Sequence, residues 1–223
     1  MHEIGVREVV QFLGLTFNWE TLKMTWLAMA IVILIAVIAT RRLSLEPKGA
    51  QLVIESIIEF LHEQIGYTMG KRGMFYAPLI VTLFLFILVS NLIGLIPTLA
   101  SPTNDLNTTL GLALMVVIMV HFLGLYYKGS HYIAHFFQPF KVFFFINLVD
   151  EIAKPITLSF RLFGNILAGE ILIIILLQLA KWWVIPSVAW LAFSIFVGVV
   201  QALIFTMLTM AYLGNSVKDE HES

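Results

Sequence analysis

Long apolar runs separated by short polar breaks dominate the chain from residue 22 onward. Five of them approach the roughly 20 residues that a helix needs to cross a bilayer core. The first, 22–40, is stopped by Arg41-Arg42, and the second, 74–99, closes in Asn91-Leu92-Ile93-Gly94-Leu95-Ile96-Pro97. The third covers 108–127, the fourth 155–180, and the fifth 186–212, where Pro186 suits the first helical turn. Segment 51–71 has a different pattern. Leu52, Ile54, Ile58, Leu61 and Ile65 fall near one helical face, and Glu55, Glu59 and Glu63 recur on another. That pattern predicts an amphipathic helix lying in the interface plane or docked on a partner. An aromatic connector, 131–148, carries Phe136, Phe137, Phe140 and Phe143 to Phe145 and belongs at headgroup level. The expected fold is an all-α integral membrane protein: one domain, 1–223, of five transmembrane helices and one interfacial helix.

Composition sharpens this. Of 223 residues, 60% are apolar and 12% charged, too little charge to coat a soluble globule. A net charge of −1 argues against a nucleic-acid partner, which needs a basic footprint. The absence of cysteine removes disulfides, thiolate metal sites and a cysteine nucleophile. Glu3, Arg7, Glu8 and Glu20 interrupt any apolar leader segment, so no cleavable signal peptide is expected.

Basic residues set the expected orientation. With the amino terminus outside, the cytoplasmic segments hold nine (Arg41, Arg42, Lys48, Lys71, Arg72, Lys128, Lys141, Lys154, Lys218) and the external segments three (Arg7, Lys23, Lys181). The positive-inside rule favours this arrangement, with the carboxyl terminus in the cytoplasm.

The thirteenth basic residue, Arg161, sits inside the fourth apolar span together with Glu170. An arginine at the bilayer centre costs at least about 2.5–3.5 kcal/mol, so it needs either a function or an escape to the interface by snorkelling. Nine residues of regular helix separate the two charges by about 13.5 Å and about 180°, which excludes an intrahelical salt bridge. Asn165 shares the Arg161 face, and Gly164 and Ala168 are small enough there to let another helix approach. In the last span Ser194, Gln201 and Tyr212 fall near one stripe, suited either to interhelical hydrogen bonds or, for Gln201, to a partner such as Arg161. His121, near the cytoplasmic end of the third span, is either a proton carrier or a satisfied interfacial residue. Asp105 lies in an outer loop whose sequence reads as a helix start, with Asn107 or Thr108 as cap. No nucleophile–base pair, metal-ligand cluster or cofactor fingerprint is visible, so neither a cofactor nor catalysis is expected. Ion translocation is the natural reading.

These residues also carry a resemblance. Ser159-Phe160-Arg161-Leu162-Phe163-Gly164-Asn165, then Ala168-Gly169-Glu170, and later Gln201 and Tyr212-Leu213, resemble subunit a of the F-type ATP synthase membrane sector, bacterial type. The Asn91 to Pro97 and Pro102 to Thr109 segments are similar to that family's second and third spans. The resemblance implies a stator facing a rotating ring of c subunits, with b subunits of the peripheral stalk and the rest of the synthase as partners, in a bacterial cell membrane. It also implies two long, tilted final helices against the ring and two offset half-channels separated by Arg161. Gln201 would position Arg161, Asn165 would line the cytoplasmic passage, and Glu170 and Ser194 would line the external one. Some members carry an acid where this chain has Gly94, which would shift weight in the outer path onto Glu170 and Asp105. Tyr212 would be a further lining residue. The transported ion, H⁺ or Na⁺, stays open. A secondary transporter or a non-conducting scaffold is the alternative, but inverted repeats are missing and a scaffold would not need Arg161.

Overall fold

A computed structural model describes residues 9–12, 15–41, 49–96, 99, 101–129, 132, 143–179 and 184–218. The chain opens on a short hairpin, with β1 (Val9–Phe12) antiparallel to β2 (Leu15–Asn18) and Val9 opposite Asn18. Among the described residues six α-helices follow: α1 (Trp19–Thr40), α2 (Ala50–Gly73), α3 (Ala77–Ile93), α4 (Leu106–Lys128), α5 (Phe143–Leu179) and α6 (Val184–Val217). The hairpin is an addition to the all-helical expectation.

Among the described residues, four stretches are long and apolar enough to cross a membrane: Trp19–Thr40, Gln51–Ile93, Leu106–Lys128 and Trp190–Val217. The second joins α2, a 3-10 turn at Met74–Tyr76, and α3. Gly70, at φ 68° and ψ −167°, breaks the helix between the amphipathic part and the apolar part. That backbone conformation is open to glycine and strained for other residues. The kink therefore falls inside α2, one turn before its end, close to where the change of pattern predicts.

The buried stripe of α2 lies further along than the sequence suggested. Leu61, Ile65 and Met69 are buried at spacings of four, whereas Leu52 is half-exposed and Glu59 and Glu63 face outward. On α1, Trp26, Ile33, Leu34, Val37 and Ile38 are all more than half exposed. In a helix this apolar, such exposure fits contact with lipid or with another subunit rather than with water.

The core forms where α3, α4, α5 and α6 meet. Ile80, Phe84 and Ile87 of α3 join Ala113, Val116 and Val120 of α4, Leu158 and Leu162 of α5, and Phe205, Met210 and Leu213 of α6. Helix α6 packs on α2, α3, α4 and α5, making it the spine of the bundle. Helix α5 starts twelve residues before the expected 155 and passes through Pro155. Proline interrupts the ladder by leaving the Glu151 carbonyl without its usual donor four residues on. The first six residues of α5 take up the end of the expected aromatic connector, and residues 133–142 of that connector lie outside the described ones. Helix α3 ends at Ile93 rather than Leu99, and Gly94 then begins a turn.

Each end of the bundle is tied by polar contacts. At one end Asp105, at the start of α4, accepts hydrogen bonds from Asn18 and Thr21 at the start of α1. At the other end the Tyr76 and Tyr127 hydroxyls lie 3.1 Å apart, and the Arg72 guanidinium sits 5.5 Å from the Tyr127 ring centroid.

Candidate functional site

Helices α5 and α6 bring together two of the expected residues that are 36 positions apart. The Asn165 amide donates to Gln201 Oε1 at 2.7 Å. Gln201 is only 2% exposed, whereas Asn165 lies on the open face of α5. The Gln201 Nε2 atom is buried without a hydrogen-bond partner among the described residues. Gln201 thus bonds Asn165 and not Arg161.

Arg161 stands one helical turn before Asn165 and is exposed. It makes no ion pair or hydrogen bond among the described residues. The surrounding α5 face is built from small groups. A Cβ placed on Gly164 or Gly169 would meet nothing within 4 Å, and Ala168 is exposed. A cation and an amide therefore stand on a shallow strip of α5 that the described residues leave uncovered. The unbroken helix from Phe143 to Leu179 keeps Glu170 nine residues beyond Arg161, and its side chain lies outside the described ones.

Behind this strip is a cavity of about 360 Å³ between the end of α3, α5 and α6. Asn165, Ala168 and Gly169 line it from α5, Trp190, Ser194 and Gly198 from α6, and Asn91 and Gly94 from α3. Ser194 Oγ and Trp190 Nε1 are both buried without a hydrogen-bond partner among the described residues. Buried polar atoms of this kind are normally satisfied, often by water. The cavity is thus mostly apolar, with polar atoms suited to hold water or pass an ion.

A hydrogen-bond chain shapes the α3 wall. Asn91 Nδ2 donates to the Gly198 carbonyl at 3.0 Å, and Asn91 Oδ1 accepts from Thr103 at 3.0 Å. The Ser101 hydroxyl lies 2.7 Å from that of Thr103 and donates to the Ser90 carbonyl at 2.9 Å. Gly94 is required by this packing, since a Cβ there would come within 2.5 Å of Ser101 Cβ. An acid at position 94 would first have to displace the Ser101 segment. The sequence drew attention to Asn91 only as part of a motif. Its signal was an amide inside an apolar span, which needs a partner.

Asp105 and Tyr212 stand apart from the cavity. Asp105 is 7% exposed and caps α4, accepting from Asn107 N at 2.9 Å, from Thr21 Oγ1 at 2.9 Å and from Asn18 Nδ2 at 3.1 Å. The cap is thus Asp105 itself rather than Asn107 or Thr108, because its carboxylate can reach the second helical N–H. The Tyr212 ring lies beneath the Lys154 ammonium, 5.4 Å from its centroid.

Much of this sequence is shared with known proteins. The sequence profile described as ATP synthase A chain matches residues 22–214. ATP synthase subunit a of Desulforamulus reducens is 49% identical over 217 residues, covering 93% of this chain and 83% of that protein. Subunit a of Priestia megaterium is 42% identical, with 95% and 97% covered, and that of Acidothermus cellulolyticus is 40% identical, with 98% and 87% covered.

Proposed function

This chain belongs to the family of ATP synthase A chains, and from that premise we propose that it is the ion-translocating stator of the synthase membrane sector, with Arg161 as the fixed charge between two ion paths. The observation that carries the reading is an exposed Arg161 with no partner among the described residues, on a strip whose neighbouring glycines meet nothing. A permanent cation at membrane depth is costly unless something outside the chain meets it. A carboxylate on each member of a c-subunit ring would do so. Guanidinium is effectively always charged, and a cation that close lowers a carboxyl pKa by about 1–3 units. Each arriving site would lose its ion near Arg161, pass it ionised, and reload beyond it. A neutral residue would let loaded sites pass and dissipate the gradient.

The cavity supports an external path that ends beside this charge, with Ser194 along it and Glu170 proposed on its rim. Asn165 contributes both to the cavity wall and to the strip with Arg161. Held by Gln201, it is suited to position groups at the boundary between the two paths. The inner path would open toward the end that carries Arg72, Lys154 and Tyr212. The basic count favours that end as cytoplasmic and the Asp105 end as external. Helices α5 and α6, of 37 and 34 residues, would extend about 55 and 51 Å, well beyond a core of about 30 Å. That excess supports five crossings with the last two strongly tilted, and α2 in the interface. We assign the chain to a bacterial cell membrane as a multi-pass subunit, with the c ring and the peripheral-stalk b subunits as its direct neighbours.

The experiment is ATP-driven pumping by the complex reconstituted in vesicles, with and without Na⁺, comparing wild type with Arg161→Ala. Loss of pumping in the variant, with ATP hydrolysis by the soluble head retained, is the expected result. Undiminished pumping would remove Arg161 from the ion path.

A further inference from the structure

We propose that the end of the bundle where α2 meets α4 binds the headgroup of an anionic phospholipid, with an acyl chain laid along α4. The Tyr76 and Tyr127 hydroxyls, 3.1 Å apart, join the two elements there. Phe75 packs edge-on against Tyr76, and Tyr126 against Tyr127, with ring centroids 5.3 and 5.1 Å apart. Four rings thus form one row between the end of α2 and the end of α4. Its outer members, Phe75 and Tyr126, are 81% and 73% exposed. Exposed rings at the end of an apolar bundle belong at the level of lipid headgroups.

Cations converge on the same row. The Arg72 guanidinium rests against the Tyr127 ring, Lys71 precedes Arg72, and Lys128 follows Tyr127. One contact therefore draws three positive charges to this corner. Gly70, at φ 68°, turns the chain just before Lys71 and Arg72, and both of those side chains are exposed. The surrounding elements supply little counter-charge, since neither aspartate nor glutamate occurs in 64–104 or in 106–149. Asp105 caps the far end of α4. Glu63 accepts from the Tyr67 hydroxyl two turns before Lys71, and Glu151, which reaches α4 beside His121, is held by Lys154. Lys71 and Lys128 make no ion pair among the described residues.

An aromatic row alone would not choose between headgroups. Three cations with few acids do, because each basic group at the surface favours an anionic lipid. Guanidinium presents five N–H donors in a planar fork that fits a phosphate. The tyrosine pair uses one hydroxyl hydrogen between its members and keeps the other to donate. Beneath the cations, Leu125, Phe122, Ile118 and Leu114 of α4 are exposed at spacings of three and four, an unbroken apolar stripe. It runs about 16 Å, close to half of a hydrocarbon core of about 30 Å, which is the depth of one leaflet. Phosphate at the cations and a chain on this stripe belong to one phospholipid. Bound there, it ties the end of α2 to α4 just beyond the Gly70 break.

The test is photocrosslinking in the intact complex reconstituted in phosphatidylcholine vesicles. The probes are traces of phosphatidylglycerol and of phosphatidylcholine that carry the same photoreactive acyl chain. Phosphatidylglycerol should label the 114–126 stretch about fivefold more than phosphatidylcholine, the effect of one fully realised cation. In Lys71→Gln/Arg72→Gln/Lys128→Gln the two lipids should label equally. In Lys23→Gln, which removes an exposed cation at the opposite end of the bundle, the preference should remain. Equal labelling in the wild type would overturn the proposal, and that reading needs no variant. A preference kept in the triple variant, or lost in Lys23→Gln, would overturn it as well. Labelling by neither lipid would give the surface to another subunit and overturn it too. None of these readings uses ion flux, so failure of the Arg161 account leaves the test intact.

Discussion

Asn165 on α5 donates its side-chain amide to Gln201 Oε1 on α6 at 2.7 Å, joining an exposed residue to one that is 2% exposed. The proposed role of Gln201 is therefore to act on the arginine strip through Asn165. Gln201→Leu should weaken coupled synthesis and leave a measurable remainder, since an amide supplies orientation and no charge. Residues sharing one bond couple by about 0.5–3 kcal/mol. The double variant Asn165→Ala/Gln201→Leu should thus be less impaired than the two single losses combined. Synthesis rates in vesicles for the four members of the cycle check this, and strict additivity would deny the coupling.

Asp105 separates a structural carboxylate from an ion-carrying one. Asparagine keeps the cap on α4 but cannot bind and release a proton at neutral pH. Asp105→Asn should therefore retain pumping. Asp105→Ala should lower stability by about 1–2 kcal/mol through loss of the cap and of the bonds to Asn18 and Thr21. Thermal unfolding of the purified complex measures the second effect. Pumping abolished by asparagine would put the carboxylate itself in the path.

Gly94→Ala should be destabilising by about 1–3 kcal/mol, because its Cβ would press on Ser101 Cβ at 2.5 Å. Adding Ser101→Gly should recover part of the loss by removing that atom. If the single variant melts with the wild type, the wall between α3 and the 101–104 turn is looser than the contact implies.

Much of this was legible in the sequence, for identifiable reasons. Apolar runs near 20 residues fix where helices lie, and the Gly70 break falls where the pattern changes from amphipathic to apolar. Arg161, Asn165 and Gln201 stood out because polar groups in apolar spans are costly. Their pairing did not, since a contact across 36 positions depends on how α5 and α6 pack. The fourth apolar run begins only at Pro155 and the acids before it show no pattern of their own, yet Glu151 and Lys154 pair within a continuous helix. A hairpin with four-residue strands gave too little alternation to register.

Accessibility should distinguish the two proposed paths, and a chain without cysteine makes it clean to measure. A cysteine at Ser194 or Glu170 should react with small thiol reagents from outside intact cells. One at Ser223 should resist an impermeant external reagent. Labelling of position 223 from outside would reverse the proposed orientation.

The claim that Arg161 keeps loaded sites from passing is tested most directly by passive ion flux through the membrane sector after the soluble head is stripped away. Arg161→Ala and Arg161→Lys should both fail in coupled synthesis, because lysine loses the planar fork and a buried ammonium can shed its proton. Passive flux should be higher for alanine than for lysine, since a lysine that stays charged still obstructs a loaded site. Passive flux equal in wild type and Arg161→Ala, with synthesis intact, would contradict the account and return Arg161 to a side chain that merely reaches for the interface.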